Sequence, residues 1–128
     1  MLVGTPGDDV LVGTAGRDVL SGRGGDDCLF GGAGDDRLFG GTGADYLNGS
    51  AGNDRMHGDA GDDRLVGGMG NDEITPGAGR DTVVAGGGDD TVSARDGARD
   101  TIDCGAGRDR VTADGIDIVR NCEYVKRR

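Results

Sequence analysis

The chain has no tryptophan, and two tyrosines and two phenylalanines are all its aromatic residues among 128. So few large apolar side chains exclude an ordinary packed core. No apolar run approaches the roughly 18 residues that a membrane-crossing helix needs, and no charged start followed by an apolar stretch reads as a leader. Basic residues are scarce, 14 against 24 acidic ones, for a formal net charge of −10. That balance argues against a nucleic-acid partner. The only basic cluster, Lys126-Arg127-Arg128, reads as a solvated tail. There is no HExxH, no phosphate-loop lysine and no nucleophile beside a base, so the chain is not expected to be an enzyme. With one histidine, His57, and three unclustered cysteines, ligands for zinc or copper are missing as well.

Glycine, in contrast, is abundant at 29 residues. Glycine excess with high charge and few aromatics normally marks disorder. A strict period argues otherwise, because flexible linkers hold no register. Nine-residue units start at Gly4, Gly13, Gly22, Gly31, Gly40, Gly49, Gly58, Gly67, Pro76 and Ala85. The fourth position is glycine in every unit, from Gly7 through Gly16, Gly25 and Gly34 to Gly79 and Gly88. The sixth is always aspartate, from Asp9 through Asp54 to Asp90, and the eighth is always aliphatic or methionine, from Leu11 through Met56 to Val92. After Ser93 the register slips. Asp100 and Ile102 take the sixth and eighth roles with Ala98 in place of glycine, and Gly107, Asp109 and Val111 restore the pattern. Asp117 and Val119 keep it once more before it stops. Residues 1–112 thus read as the repeat domain and 113–128 as a segment capping its last coil. Met1-Leu2-Val3 looks like the tail of a preceding repeat, as in a fragment of a longer chain.

Positions one to six have turn composition, and positions seven to nine a short strand with only the eighth side chain pointing inward. One buried side chain per nine residues is a thin core against the entropy of so much glycine. Stacked coils would also set equivalent aspartates about 4.8 Å apart, where like charges repel by roughly 1 kcal/mol even in water. The chain alone is not expected to fold. A hard divalent cation removes both difficulties. Calcium accepts six to eight oxygens and mixes carboxylates with backbone carbonyls, whereas magnesium demands a tight octahedron and keeps its waters.

The units resemble the glycine-rich nonapeptide, GGxGxDxUx, of the RTX (repeats-in-toxin, hemolysin-type) calcium-binding proteins, over about residues 2–112. The resemblance implies an all-β, right-handed parallel β-roll with two repeats per 18-residue coil and calcium along both edges. Each ion would take carbonyls of positions two and four and the aspartate of one turn. From the turn eighteen residues later it would take carbonyls of positions one and three and that aspartate. Carried over, one edge pairs Thr5, Gly7 and Asp9 with Gly22, Gly24 and Asp27. It continues with Arg23, Gly25 and Asp27 against Gly40, Thr42 and Asp45, then Gly41, Gly43 and Asp45 against Gly58, Ala60 and Asp63. Its last site pairs Asp59, Gly61 and Asp63 with Pro76, Ala78 and Asp81. The other edge pairs Thr14, Gly16 and Asp18 with Gly31, Ala33 and Asp36, and Gly32, Gly34 and Asp36 with Gly49, Ala51 and Asp54. Ser50, Gly52 and Asp54 follow against Gly67, Met69 and Asp72, then Gly68, Gly70 and Asp72 against Ala85, Gly87 and Asp90. These pairings make about eight Ca2+ ions, or up to ten if the slipped repeats around Asp100 and Asp109 also bind. Replacements at position two (Thr5, Thr14, Arg23, Ser50, Asp59) are expected to matter little, because only the carbonyl is used.

Cys104 and Cys122 lie eighteen apart, one coil, which would stack them within disulfide reach and fits an oxidising, extracytoplasmic compartment. Cys28, at an outward position, reads as a free thiol or a contact to something outside the chain. His57 and the fifth-position residues read as solvated surface. The resemblance implies a module that stays unfolded in a calcium-poor cytosol, leaves through a type I secretion channel and folds outside. The other reading is an adhesin-like surface or glycan-binding module. An ice-binding roll does not fit, since position two runs Thr, Thr, Arg, Gly, Gly, Ser, Asp rather than a regular array. The outward Val10, Phe30 and Tyr46 face is the expected contact for an upstream domain or a second copy of the roll.

Overall fold

The computed structural model describes residues 1–127, so Arg128, the end of the basic tail, lies outside the described residues. Among them are fifteen strands and no helix. They are β1 (Leu2–Val3), β2 (Val10–Val12), β3 (Val19–Gly24), β4 (Cys28–Ala33), β5 (Arg37–Thr42), β6 (Tyr46–Ala51), β7 (Arg55–Ala60) and β8 (Arg64–Met69). The chain continues through β9 (Glu73–Thr75), β10 (Thr82–Gly87), β11 (Thr91–Ala94), β12 (Thr101–Asp103), β13 (Arg110–Ala113), β14 (Ile118–Arg120) and β15 (Tyr124–Arg127). The odd-numbered strands form one eight-stranded sheet and the even-numbered strands one seven-stranded sheet. All pairings are parallel, and consecutive strands alternate between the sheets. The chain is therefore a parallel β-solenoid of about seven turns, the kind of roll that the resemblance implies.

Register carries the sequence period directly. Leu29 pairs with Leu47 and Leu47 with Leu65, eighteen residues at a step. The eighth-position side chains from Leu20 to Val111 are buried between the sheets, one column contributed by each. Leu11, in the first coil, is only partly covered. Central strands run six residues rather than the expected three, because pairing continues through positions one to three of the following turn. Position one also faces inward, and most of its glycines are buried. β9 stops at Thr75 because Pro76 has no N–H to donate.

The irregular end stays in the roll. β12 pairs with β10 at a nineteen-residue step and β13 with β11 likewise, so the slip adds one residue to each of these coils. β14 pairs with β12 at seventeen, and β15 with β13 at fourteen. Lys126 and Arg127, expected as solvated tail, instead belong to β15, because a last strand at the sheet edge satisfies the β13 backbone. Cys104 and Cys122 form a disulfide with their Cα atoms 5.1 Å apart. Cys28 is free and half-buried. On the outer faces Phe30 packs against Tyr46 with centroids 5.8 Å apart, and His57, outward as expected, stacks on Phe39 at 5.2 Å.

Two glycines separate the demands of the turn from simple composition. Gly52 has φ 121°, and a side-chain carbon there would collide with the Gly34 carbonyl. Gly87 has no positive φ, and a side-chain carbon would meet nothing within 4 Å. Gly52→Ala should lower the stability of the folded roll by about 2 kcal/mol or more, through strain of ~1–3 kcal/mol plus the clash. Gly87→Ala should leave it unchanged or raise it by ~0.4–1 kcal/mol, through a less flexible unfolded chain. Thermal unfolding of both variants checks this. Equal losses would mean that the turns do not impose the backbone described.

Candidate metal centre

Each edge of the roll carries a column of inward aspartates, and one oxygen of each is used by the protein. Asp9 N–H donates to Asp27 Oδ1, Asp27 N–H to Asp45 Oδ1, and Asp45 N–H to Asp63 Oδ1, all at 2.8 Å. The opposite edge repeats this from Asp18 through Asp36, Asp54 and Asp72 to Asp90 at 2.8–2.9 Å. The ladder also crosses the slip. Asp81 N–H reaches Asp100 Oδ1 at 2.8 Å, Asp90 N–H reaches Asp109 Oδ1 at 2.9 Å, and Asp100 N–H reaches Asp117 Oδ1 at 2.9 Å. The extra residue is absorbed in the exposed loop around Asp96-Gly97, so the carboxylates keep their places.

The second oxygen is the unusual one. Oδ2 of Asp27, Asp36, Asp45, Asp54, Asp63, Asp72, Asp81, Asp90, Asp100 and Asp109 is buried with no hydrogen-bond partner. A native fold rarely leaves even a few such atoms, and each would cost several kcal/mol as a bare charge. Where the unit begins with glycine, from Gly22 to Gly67, the free oxygen lies beside the position-one carbonyl of the following coil, and the space they share is the candidate cation hollow. A side-chain carbon placed on Gly40 would stand 2.6 Å from Asp45 Oδ2 and 2.7 Å from the Gly58 carbonyl. Carbonyls of positions two and four press on the next coil in the same way. Thr14 O lies 2.6 Å from such a carbon on Gly32, and Gly16 O lies 2.7 Å from one on Gly34. The positive φ of Gly32 (95°) and Gly34 (105°) belongs to this arrangement, which the repeated glycines make possible. Arg23, Ser50 and Asp59 adopt the same left-handed conformation at φ 74–81° despite their side chains.

Burial pushes these carboxyls up. The N–H received from the preceding coil lowers them, and neighbouring aspartate charges raise them further. Asp63, Asp72, Asp90 and Asp100 are raised to about 7, and Asp45, Asp54 and Asp81 to about 6. Asp27, Asp36 and Asp109 shift in the same direction for the same leading cause. Among the described residues no three His, Cys, Asp or Glu side chains converge, so the donor set consists of isolated carboxylates and peptide carbonyls. An all-oxygen set with flexible spacing fits calcium, and magnesium or a softer metal poorly.

The fifth position, which sequence reading took as solvated surface, is exposed and also holds a second ladder. Asp26 N–H donates to Asp8 Oδ1 at 2.7 Å, Asn53 N–H to Asp35 Oδ1 at 2.9 Å, and Asn71 N–H to Asn53 Oδ1 at 2.8 Å. Its direction is opposite to that of the inward ladder, so adjacent N–H groups of one turn are met by carboxylates from opposite neighbours. The recurrence of Asp or Asn at position five was the available signal. Arg17, Ala44 and Arg80 interrupt it and hid the rule.

Parallel coils, turns of left-handed glycine and rows of half-satisfied buried aspartates define a solenoid of the cation-binding class. The RTX calcium-binding nonapeptide repeat family (4 copies) matches residues 3–38 and 39–74, over half of the chain. The chain belongs to that family and is a calcium-binding repeat module. A search of the curated proteins found no match.

Proposed function

We propose that this chain is a calcium-dependent folding module of a secreted protein, with a structural or secretion-assisting role and no catalysis of its own. The observation that carries this reading is the row of buried, partnerless aspartate oxygens, since such a row makes the fold conditional on a cation. Bound calcium supplies positive charge and the capacity for six to eight oxygen ligands. The chain supplies the rest. Position-six aspartates offer one oxygen to the hollow while the other holds the preceding coil. Position-two and position-four glycines turn carbonyls toward the next coil, and the eighth-position side chains close the interior once the turns are set. An unfolded, strongly acidic form suits passage through a narrow channel, and the Cys104–Cys122 disulfide suits an oxidising exterior. The repeat pattern gives about eight to ten ions in all, and their assignment to the interior turns, where the free oxygens lie, is part of this proposal.

Equilibrium dialysis tests it. The full chain should take up several calcium ions at millimolar concentration and far less magnesium under the same conditions. Equal uptake of the two metals, or uptake of a single calcium ion, would refute the assignment.

A further inference from the structure

Three inward aspartates have Oδ2 occupied by donors of their own turn, and all three stand at the ends of the ladders. In the first turn, Thr5 N–H donates to Asp9 Oδ2 at 2.6 Å, and the Thr5 hydroxyl reaches the same oxygen at 3.0 Å. The second turn repeats this on Asp18, with Thr14 N–H at 2.5 Å and its hydroxyl at 2.9 Å. Each hydroxyl also accepts the position-four N–H, from Gly7 at 3.1 Å and from Gly16 at 3.2 Å. At the far end, Asp117 Oδ2 accepts the Asp114 N–H at 2.7 Å. There Arg127 donates to the carbonyls of Asp114 and Asp117 at 3.0 and 3.2 Å, setting a fixed positive charge where the ladder stops.

The backbone explains why threonine behaves differently from other position-two residues. From Arg23 onward that position sits at positive φ in every regular turn, whereas Thr5 and Thr14 do not. A β-branched residue is strongly disfavoured there, so threonine keeps the turn in the form whose N–H points at the carboxylate. A hydroxyl alone does not produce this. Ser50 has one, yet it sits at φ 76° and donates to Asn48 Oδ1 at 3.1 Å, leaving Asp54 Oδ2 free.

We propose that Thr5 and Thr14 are metal-excluding end turns, so that calcium occupies the rows only from Asp27 and Asp36 onward, one coil after the repeats begin, and continues through the slipped repeats to Asp100 and Asp109. The inference rests on the calcium-binding reading and moves the rows one coil toward the C-terminus relative to the repeat pattern. A cation entering the first hollows would have to displace two donors from a carboxylate and force threonine into a left-handed conformation. The first coil holds its turns with its own donors and needs no ion.

Native mass spectrometry of the full chain at saturating calcium tests this. The double variant Thr5→Gly, Thr14→Gly should bind two more ions than the parent, because glycine frees both the carboxylate and the backbone. Thr5→Val with Thr14→Val, which keeps the β-branch, should bind the parental number. Asp100→Asn should bind fewer. An unchanged number in the glycine variant, alongside a well-loaded parent, overturns the end-turn assignment while leaving calcium binding intact. A parental number in Asp100→Asn overturns the extension through the slip. A parent that binds no calcium removes both this inference and the reading beneath it.

Discussion

In chelator at pH 7.5 the chain should give a coil-like far-ultraviolet spectrum, and strand signal should appear cooperatively as calcium rises into the millimolar range. The cooperativity follows from sharing. Asp54 Oδ1 holds the Asp36 N–H of one neighbouring coil, while its Oδ2 faces the hollow toward the next. Loading one hollow therefore orders the turn that forms the following one, and metal binding and folding become one reaction. Acidity has a defined sign here. The folded carboxyls at about 6 to 7 lie above the ordinary value of 3.8, so the metal-free roll holds more protons than the coil between those limits. Whatever stability protonation lends the metal-free roll is full below about pH 4 and lost as pH rises through 7. At pH 5 the chain in chelator should thus be more compact than at pH 7.5. Calcium must displace those protons, so the calcium needed for half-folding should rise as pH falls from 8 to 5, by about tenfold per pH unit for each proton released. Full strand content in chelator at neutral pH would contradict metal-linked folding, and a half-folding concentration independent of pH would contradict the raised carboxyls.

A single interior aspartate should matter far more than a terminal one. Asp54→Ala removes the acceptor of the Asp36 N–H and the free oxygen facing the Gly67 carbonyl, so it should damage two neighbouring sites and lose two ions. Removing one partner of a buried charge arrangement typically costs about 3–5 kcal/mol, enough to unfold the central coils at calcium levels that fold the parent. Without calcium the sign reverses, since alanine removes an uncompensated buried charge. Asp9→Ala should cost at most one ion and leave the roll folded, because Asp9 ends its ladder and Thr5 already occupies its outer oxygen. Calcium stoichiometry and strand signal of the two variants decide the matter. Equal loss would contradict shared ligands along an edge.

The nine-residue period, with the family resemblance it carries, made the architecture legible in the sequence. With aspartate always sixth, an aliphatic residue always eighth and glycine always fourth, only a stack of identical coils buries every aliphatic side chain and aligns every carboxylate. Register, the two inward columns of side chains and parallel sheets follow from that repetition, as does the pairing of Cys104 with Cys122. The period also pointed to oxygen ligands for calcium, because no other cation-binding residues recur. Three things were decided only by the tertiary structure. The strands are twice as long as the repeat suggested, because backbone pairing does not depend on the side chains that make the pattern visible. The slip after Ser93 leaves the aspartate ladder intact, because one added residue can bulge into an exposed loop while the sheets hold their spacing. Thr5 and Thr14 differ from the other position-two residues because a branched side chain forbids a backbone conformation. That consequence appears only when the turn closes on Asp9 and Asp18. Repetition specifies what every coil shares. Where the shared pattern ends depends on contacts between residues that the period treats as interchangeable.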